Sequence, residues 1–172
     1  PLMVQGPGVR KGGVTERFAL NVDFAPTFLD LAGLPVPAQM QGRSLKPLLE
    51  GGAPSDWRAS MYYRYYHDPG HHNTRAHYGV RTATHKLIHY WKKDAWELFD
   101  LQADPQELKN LYGTPGSEGV SAQLKQELAR LRSELKDADQ FAQELPKEGV
   151  DGAPQKWAPG YAPAGPKVRL GR

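Results

Sequence analysis

The stretch YGVRTATHKLIHYWKKDAWELFDL, residues 78–101, decides the fold of this chain. Within it, Tyr78 to Thr82 and Lys86 to Trp91 predict a hairpin whose turn lies near residues 83–85. Trp96 to Leu101 predicts a third strand, and the tyrosine-rich run from Ser60 to Tyr66 predicts another just upstream. Four short strands at this spacing indicate a small antiparallel sheet.

After the predicted strands, apolar residues recur along the chain at the spacing of a helix. Residues 118–140 carry one apolar stripe with steps of four, four, three and four, which spans too few heptads for a coiled coil and predicts a helix packed on the sheet. The stripe consists of Val120, Leu124, Leu128, Leu131 and Leu135. A shorter helix is predicted to begin at Asp104-Pro105-Gln106-Glu107, with Asp104 as N-cap and Pro105 at the first helical position.

The part before the sheet has a different pattern. The apolar run at residues 1–5 predicts a short buried strand. NVDFAPTFLDLAGL, residues 21–34, predicts a helix with Asp23 as N-cap and Gly33 as its stop. The Gly/Pro-rich segment at residues 51–55 is the best boundary. We therefore expect three parts: 1–54, 55–140, and a Pro/Gly-rich extended tail at 141–172.

The composition and net charge of the chain argue against several classes of partner and of site. The 172 residues carry a net charge of +3 without a Lys/Arg block, so no nucleic-acid partner is expected. The absence of Cys excludes disulfides, thiolate zinc sites and a Cys nucleophile within this chain. No apolar run approaches the roughly 20 residues of a membrane helix, so no membrane partner is expected. The abrupt apolar start without Met favours a fragment of something longer.

All six histidines fall between residues 67 and 89. His67, Asp68 and His71 have metal-like spacing, but no second ligand pair matches them, and we expect no metal ligands here. His77 and Arg81 have even spacing on one strand, so their side chains share a face, where they suit an anionic or hydroxyl-rich ligand. From the residues alone, a binding role and a structural role are equally supported. No nucleophile elbow or phosphate loop is present, so no catalytic residue is assigned.

Five stretches in order resemble the C-terminal third of the arylsulfatase-like family, from residue 1 to about residue 138. The closest similarity is to bacterial glycan sulfatases, including relatives of N-acetylglucosamine-6-sulfatase and N-sulfoglucosamine sulfohydrolase. The WELFDL…DPQE pattern favours this branch over phosphodiesterases of the same superfamily. The five stretches are PLMVQGPGV, VDFAPTFLDLAGL, MQGRSLKPLL, HYGVRTATHKLIHYW and WELFDLQADPQELKNLY.

The resemblance implies a mixed α/β fold: the C-terminal edge of an alkaline-phosphatase-like α/β domain at residues 1 to about 50, then a small α+β domain with a four-stranded antiparallel sheet and a long C-terminal helix. It also implies a full-length enzyme that hydrolyses sulfate esters of a sulfated sugar, with calcium and a formylglycine made from a Cys/Ser-x-Pro/Ala-x-Arg motif. That motif is absent, so we expect this chain to be inactive without a missing N-terminal catalytic domain.

Within that family the small domain closes one side of the substrate pocket. The resemblance therefore implies substrate contacts at His77 first and Arg81 second, with His72 and Arg75 in the adjoining loop. It also implies a periplasmic or secreted location. The alternatives are a non-catalytic carbohydrate-binding or interface module, a phosphodiesterase-type member of the superfamily, and a zinc module lined by histidines.

Overall fold

A computed structural model describes residues 2–68, 74–140 and 142. A 3₁₀ turn at Asn21–Asp23 leads directly into the first α-helix. The helices are α1 (Phe24–Leu31), α2 (Lys46–Leu49) and α3 (Glu118–Glu134), and the strands are β1 (Ser60–Tyr65), β2 (His77–Thr82), β3 (His85–Tyr90) and β4 (Ala95–Asp100).

The strands form one antiparallel sheet in the order β1-β2-β3-β4. Tyr65 lies opposite His77 between β1 and β2, and Tyr78 lies opposite His89 between β2 and β3. All four predicted strands are confirmed, with bounds that differ by one residue at most ends, and the hairpin turn lies at residues 83–84. Because side chains alternate across a strand, this register fixes which residues share a face.

Helix α3 covers one face of the sheet, as its apolar stripe predicts. The helix ends at Glu134 rather than near residue 140, because Lys136 has a left-handed backbone with φ of 56°. The buried residues between helix and sheet are Tyr78, Val80, Leu87, Leu98, Leu124, Leu128 and Leu131. Burial of these side chains supplies the main apolar stabilisation of this part of the chain.

A second, smaller core lies in the part that precedes the sheet. Leu45, Leu48 and Trp57 are buried together, and the Trp57 indole N–H donates to the carbonyl of Phe18 over 2.9 Å. Trp57 follows the predicted boundary at residues 51–55, yet it packs on the segment before it. The short helix α2 supplies Leu48 to this core.

The strand predicted at residues 1–5 is wrong over residues 2–5, which the structure describes. Residues 2–5 pair with no strand in the part of the chain that the structure describes, and the Leu2 and Met3 side chains are 49% and 89% exposed. A strand needs a neighbour to accept and donate its backbone hydrogen bonds. An apolar run alone therefore does not make one.

The predicted helix at residue 104 is also wrong, because side chains take the backbone N–H groups that a helix would use. The Asp104 carboxylate accepts the N–H of Lys109 at 2.8 Å, and the Asn110 side-chain oxygen accepts those of Leu98 and Tyr112, both at 2.9 Å. Glu107 has a φ of 57°, which interrupts a right-handed helix. The segment is therefore a loop that is hydrogen-bonded to β4.

Candidate functional site

The face of the sheet opposite α3 holds the chemistry-bearing residues. Tyr78 and Val80 point to α3, so their strand neighbours His77, Gly79 and Arg81 point to the other side, which we call the open face. The paired strands add residues to it by register. Its side chains are those of Met61, Tyr63, Tyr65, His77, Arg81, Lys86, Ile88, Tyr90, Glu97 and Phe99.

Three tyrosines surround the His77 ring, and we call Tyr63, Tyr65 and Tyr90 the tyrosine cage. The Tyr65 ring stacks on His77 with centroids 5.8 Å apart and planes 23° apart. Tyr63 meets it edge-on at 5.8 Å, and Tyr90 lies tilted at 5.6 Å. Contacts on several sides restrict rotation of the imidazole, so its two nitrogens have defined directions.

One nitrogen of His77 is already used. Nδ1 lies 2.7 Å from the backbone carbonyl oxygen of Arg75. A carbonyl oxygen only accepts, so Nδ1 must carry the proton and donate. In the neutral ring Nε2 is then the acceptor, and the one hydrogen bond that His77 makes through its ring to residues 2–68, 74–140 and 142 uses Nδ1. His77 therefore offers one unused lone pair to a ligand.

Arg75 precedes His77 by two residues and has a partner of its own. Its Nη1 lies 3.2 Å from Oδ1 of Asp68, and the two side chains are 39% and 12% exposed. The carboxylate offsets the charge of the guanidinium, while the fork of Arg75 retains further donors. His72, predicted with these residues, lies outside the described part of the chain.

Arg81 shares the open face with His77, as its even spacing predicts, but it lies at the other end of β2. Four residues along a strand span roughly 13 Å, so the two side chains cannot hold the same small group. Arg81 is exposed and lines a broad cleft together with Met61 and parts of residues 2–19 and 45–53. Of the three predicted site residues that the structure describes, it brings together Arg75 and His77.

Tyr63 is a site residue that sequence reasoning missed. Its ring lies over Gly79, where an added Cβ would come within 2.5 Å of the Tyr63 hydroxyl oxygen. That hydroxyl is buried and has no hydrogen-bond partner among the described residues. Burial, followed by the nearby Tyr90, Glu107 and Glu97, raises the pKa of Tyr63. A glycine inside a strand was the available signal, since it often marks close approach of another group.

Tyr90 completes the cage through a fixed hydroxyl. It donates to Oε2 of Glu97 on β4 over 2.9 Å. Burial first, and then the hydrogen bond to Glu97, raises the pKa of Tyr90 to about 12. The phenol therefore stays protonated at neutral pH and holds its ring against His77.

The cofactors implied by the resemblance do not fit these residues. Across the described ranges, no group of three or more His, Asp or Glu side chains could hold a metal ion. The sequence has no Cys and no Ser-x-Pro/Ala-x-Arg motif from which a formylglycine could be made. The open face can bind and orient a ligand, but no step through calcium or formylglycine is assigned to it.

No helix in the described part is long and apolar enough to span a membrane.

Comparison with known families agrees with this arrangement. A family profile described as "N-sulphoglucosamine sulphohydrolase, C-terminal" matches residues 1–134. The chain belongs to the N-sulphoglucosamine sulphohydrolase C-terminal family. An N-acetylglucosamine-6-O-sulfatase of Bacteroides thetaiotaomicron is 43% identical over 143 residues, which cover 81% of this chain and 26% of that protein. The chain thus spans about a quarter of the length of this relative.

Solved structures of other proteins share the fold of this sulphohydrolase-family chain. One is a protein in complex with its substrate D-glucosamine-2-N,6-O-disulfate, 42% identical with a TM-score of 0.74 over 79% of this chain and 28% of that one. Another is a phosphonate monoester hydrolase from Silicibacter pomeroyi, 30% identical with a TM-score of 0.66 over 76% and 28%. The predicted fold class, a mixed α/β structure with a four-stranded antiparallel sheet and a C-terminal helix, is confirmed.

Proposed function

We propose that this chain is the C-terminal part of a sulfatase that hydrolyses a sulfate ester of a sulfated sugar, and that its open face supplies substrate contacts. The observation that carries the proposal is the 42% identity to a protein solved with a sulfated glucosamine as its substrate. The tyrosine cage supports it, because aromatic rings beside a fixed hydrogen-bonding group suit a sugar ring.

The division of labour between parts of the protein belongs to the same proposal. In it, residues 1–54 form the edge of a large catalytic α/β domain and residues 55–140 form the small domain. The predicted tail at residues 141–172 lies, apart from Ala142, outside the described part of the chain. The exposed apolar side chains of Phe28 and Leu31 on α1 support this division, since an amphipathic helix packs its apolar face on another element. Calcium and formylglycine would belong to the large domain.

The substrate contacts in this proposal come from the loop before β2 and from β2 itself. His77 contacts the sugar, Arg75 and His72 are further proposed contacts, and Arg81 lies at the far end of the strand. A location in the periplasm or outside the cell is part of the same proposal and is supported by the glycan-sulfatase names of the relatives.

A second candidate activity is hydrolysis of a phosphonate or phosphate ester. It is favoured by one observation, the similarity to the phosphonate monoester hydrolase at 30% identity. The identity to the glucosamine-disulfate protein is higher, and so is the TM-score. A non-catalytic carbohydrate-binding module remains the third candidate, and the same assay separates all three.

The test uses the full-length gene product, co-expressed with a formylglycine-generating enzyme. Sulfate release is measured from glucosamine 6-sulfate, N-sulfoglucosamine and an aryl sulfate, and phosphate release from an aryl phosphonate. We expect His77→Ala to lower the rate on the sugar more than the rate on the aryl sulfate. His85→Ala is the matched control, because His85 points to the α3 face and should leave both rates unchanged.

Absence of sulfate release from every substrate, with hydrolysis of the phosphonate, would replace the sulfatase proposal with the second candidate. Absence of any hydrolysis, with retained binding of a sulfated sugar, would favour the binding module. Equal rates for His77→Ala and the unsubstituted enzyme would remove His77 from the substrate site while leaving the activity in place.

A further inference from the structure

We infer that His77 selects a hydrogen-bond donor on the substrate, a ring hydroxyl or the N–H of an amino substituent, and that Tyr65 is the positioning residue that makes this selection possible. The inference rests on the proposed function and adds to it the direction of one hydrogen bond, in which the substrate donates and His77 accepts. The substrate group at His77 is not the sulfate.

The direction of this hydrogen bond follows from the one that His77 already makes with the backbone carbonyl of Arg75. The Arg75 carbonyl accepts from Nδ1, which leaves Nε2 of the neutral ring as an acceptor with no protein partner in the described chain. Sulfate oxygens can only accept, so they find no proton at this atom. A sugar hydroxyl or N–H can donate to it.

The direction of that lone pair depends on Tyr65. Among the cage residues, Tyr65 has the most nearly parallel ring, at 23°, and it sits directly opposite His77 in the register of β1 and β2. An edge contact from His67 supports the other part of the Tyr65 ring at 5.6 Å. Removing the Tyr65 ring would free the imidazole to rotate and to exchange its tautomer.

The charged neighbours also favour a neutral donor at this point. The guanidinium of Arg75, two residues before His77, is paired with Asp68 at 3.2 Å, so an anion entering beside it would meet a carboxylate as well as a cation. A hydroxyl or an amide N–H carries no charge and meets no such opposition.

The kinetic test uses the full-length gene product and a set of 6-sulfated glucosamine derivatives. In each derivative one donor group is removed: a hydroxyl is replaced by hydrogen or by fluorine, or the 2-amino substituent by hydrogen. Fluorine cannot donate, so at one position the deoxy and fluoro compounds should both lose roughly twofold to tenfold in kcat/KM, as expected for one neutral hydrogen bond. His77→Ala should be indifferent to that position.

The positioning role of Tyr65 has its own readout. Long-range ¹H–¹⁵N spectra of the histidine-labelled protein, with His77 assigned by comparison with His77→Ala, should show the Nδ1–H tautomer. Tyr65→Phe keeps the ring and should keep both the tautomer and the discrimination between donor and fluorine. Tyr65→Leu should give a mixture of tautomers and lose the discrimination.

Several results would overturn the inference. They are a full rate on every fluoro compound, a loss that persists in His77→Ala, and an Nε2–H tautomer in the unsubstituted protein. The tautomer is read independently of sulfate release. An enzyme that releases no sulfate would therefore defeat the proposed function, while the spectra would still decide the state of His77.

Discussion

Asp23 and Arg58 form a buried two-pronged ion pair that joins the start of α1 to the segment leading into β1. Nη2 of Arg58 lies 2.8 Å from Oδ1 of Asp23, and Nη1 contacts the other oxygen. The same carboxylate accepts the backbone N–H of Leu20 at 2.8 Å and that of Arg43 at 2.9 Å. The Asp23 side chain is fully buried, so these four donors replace water completely.

Asp23→Asn should destabilise the protein by about 3 kcal/mol, because breaking one partner leaves a buried guanidinium without its counter-charge. The free energy of unfolding of the full-length gene product in urea measures it. Asp56→Asn is the matched control: Asp56 pairs with Arg43 at 2.8 Å, but its side chain is 74% exposed. That control should cost less than about 1 kcal/mol. Equal losses of unfolding free energy for Asp23→Asn and Asp56→Asn would contradict the conclusion that the buried pair of Asp23 and Arg58 stabilises the protein more than the exposed pair does.

The same carboxylate predicts how stability depends on pH. Burial by itself would raise the pKa of Asp23, but hydrogen bonds from Arg58, Arg43 and Leu20 outweigh it, and the pKa lies below its ordinary value. Such a group contributes stability that is fully present above its unfolded pKa of about 4 and is lost as pH falls through the folded value.

The urea midpoint should therefore fall in two stages. It should decrease slightly as pH drops below about 6.5, because burial lowers the pKa of His89 and its protonation opposes folding. It should decrease further below about pH 4, where the carboxylates are protonated. Asp137 acts in the same direction, since burial is outweighed by hydrogen bonds from Tyr62 and Arg64 and its pKa is also lowered. Asp23→Asn should reduce the acid-dependent part of the curve. A midpoint that increases on acidification would show that these carboxylates do not control it.

Asp23 also shows where sequence reasoning stops. The sequence predicts it as the N-cap of α1, and α1 does begin directly after it, but its carboxylate accepts no N–H of α1. It accepts the N–H of Leu20 instead, at the start of the preceding 3₁₀ turn. Its strongest partner lies 35 residues away in Arg58, and no local pattern reports that distance. Local sequence patterns therefore predict the position of the helix correctly, but they attribute its start to a capping hydrogen bond that Asp23 does not make to α1.

The sheet and α3 could be predicted because their signals are periodic and local. Alternation places His77 and Arg81 on one face, and the structure agrees. The cage around His77 could not be predicted, because Tyr65 and Tyr90 come from neighbouring strands and only the register brings them to the ring. The helix predicted at residue 104 is wrong for a different reason, since the side chains of Asp104 and Asn110 compete for backbone N–H groups of this segment.

Tyr63→Phe should stabilise the protein by about 1 kcal/mol, because it removes a buried hydroxyl that has no partner among the described residues. Thermal denaturation of the full-length gene product measures the change. Tyr90→Phe is the matched control, since the Tyr90 hydroxyl donates to Glu97 at 2.9 Å and its loss should destabilise. A lower melting temperature for Tyr63→Phe would show that its hydroxyl has a partner in the full-length protein.

Gly79→Ala should destabilise by about 1–3 kcal/mol, because a Cβ at this position would lie 2.5 Å from the Leu87 carbonyl oxygen and from the Tyr63 hydroxyl. In a Tyr63→Ala background, which is itself destabilised, Gly79→Ala should cost less than in the unsubstituted protein but should still destabilise. The Leu87 contact is to backbone, which cannot turn aside as a side chain can. Urea denaturation of both single variants and the double variant separates the two contacts. Absence of any cost of Gly79→Ala in the Tyr63→Ala background would assign the whole cost to Tyr63.

Residues 1–172 studied alone should associate and show little amide protection before residue 55. The sheet and α3 have a complete core, in which Val80, Leu87 and Leu98 are fully buried. The preceding part instead exposes large apolar side chains over a wide area, which marks a surface made for contact with other protein. These are Leu2, Met3, Val4, Val14, Val22, Phe24, Phe28, Leu31, Leu34 and Val36.

Hydrogen exchange and light scattering decide this prediction together. Phe28→Ser should reduce association, because Phe28 is 69% exposed and shares α1 with the exposed Phe24 and Leu31. Leu108→Ser is the matched control: Leu108 is 80% exposed but lies in the loop after β4, so its replacement should change association little. Uniform protection across residues 2–33 in a monodisperse monomer would mean that this surface needs no partner, and the proposed division at residue 54 would then lose its physical basis.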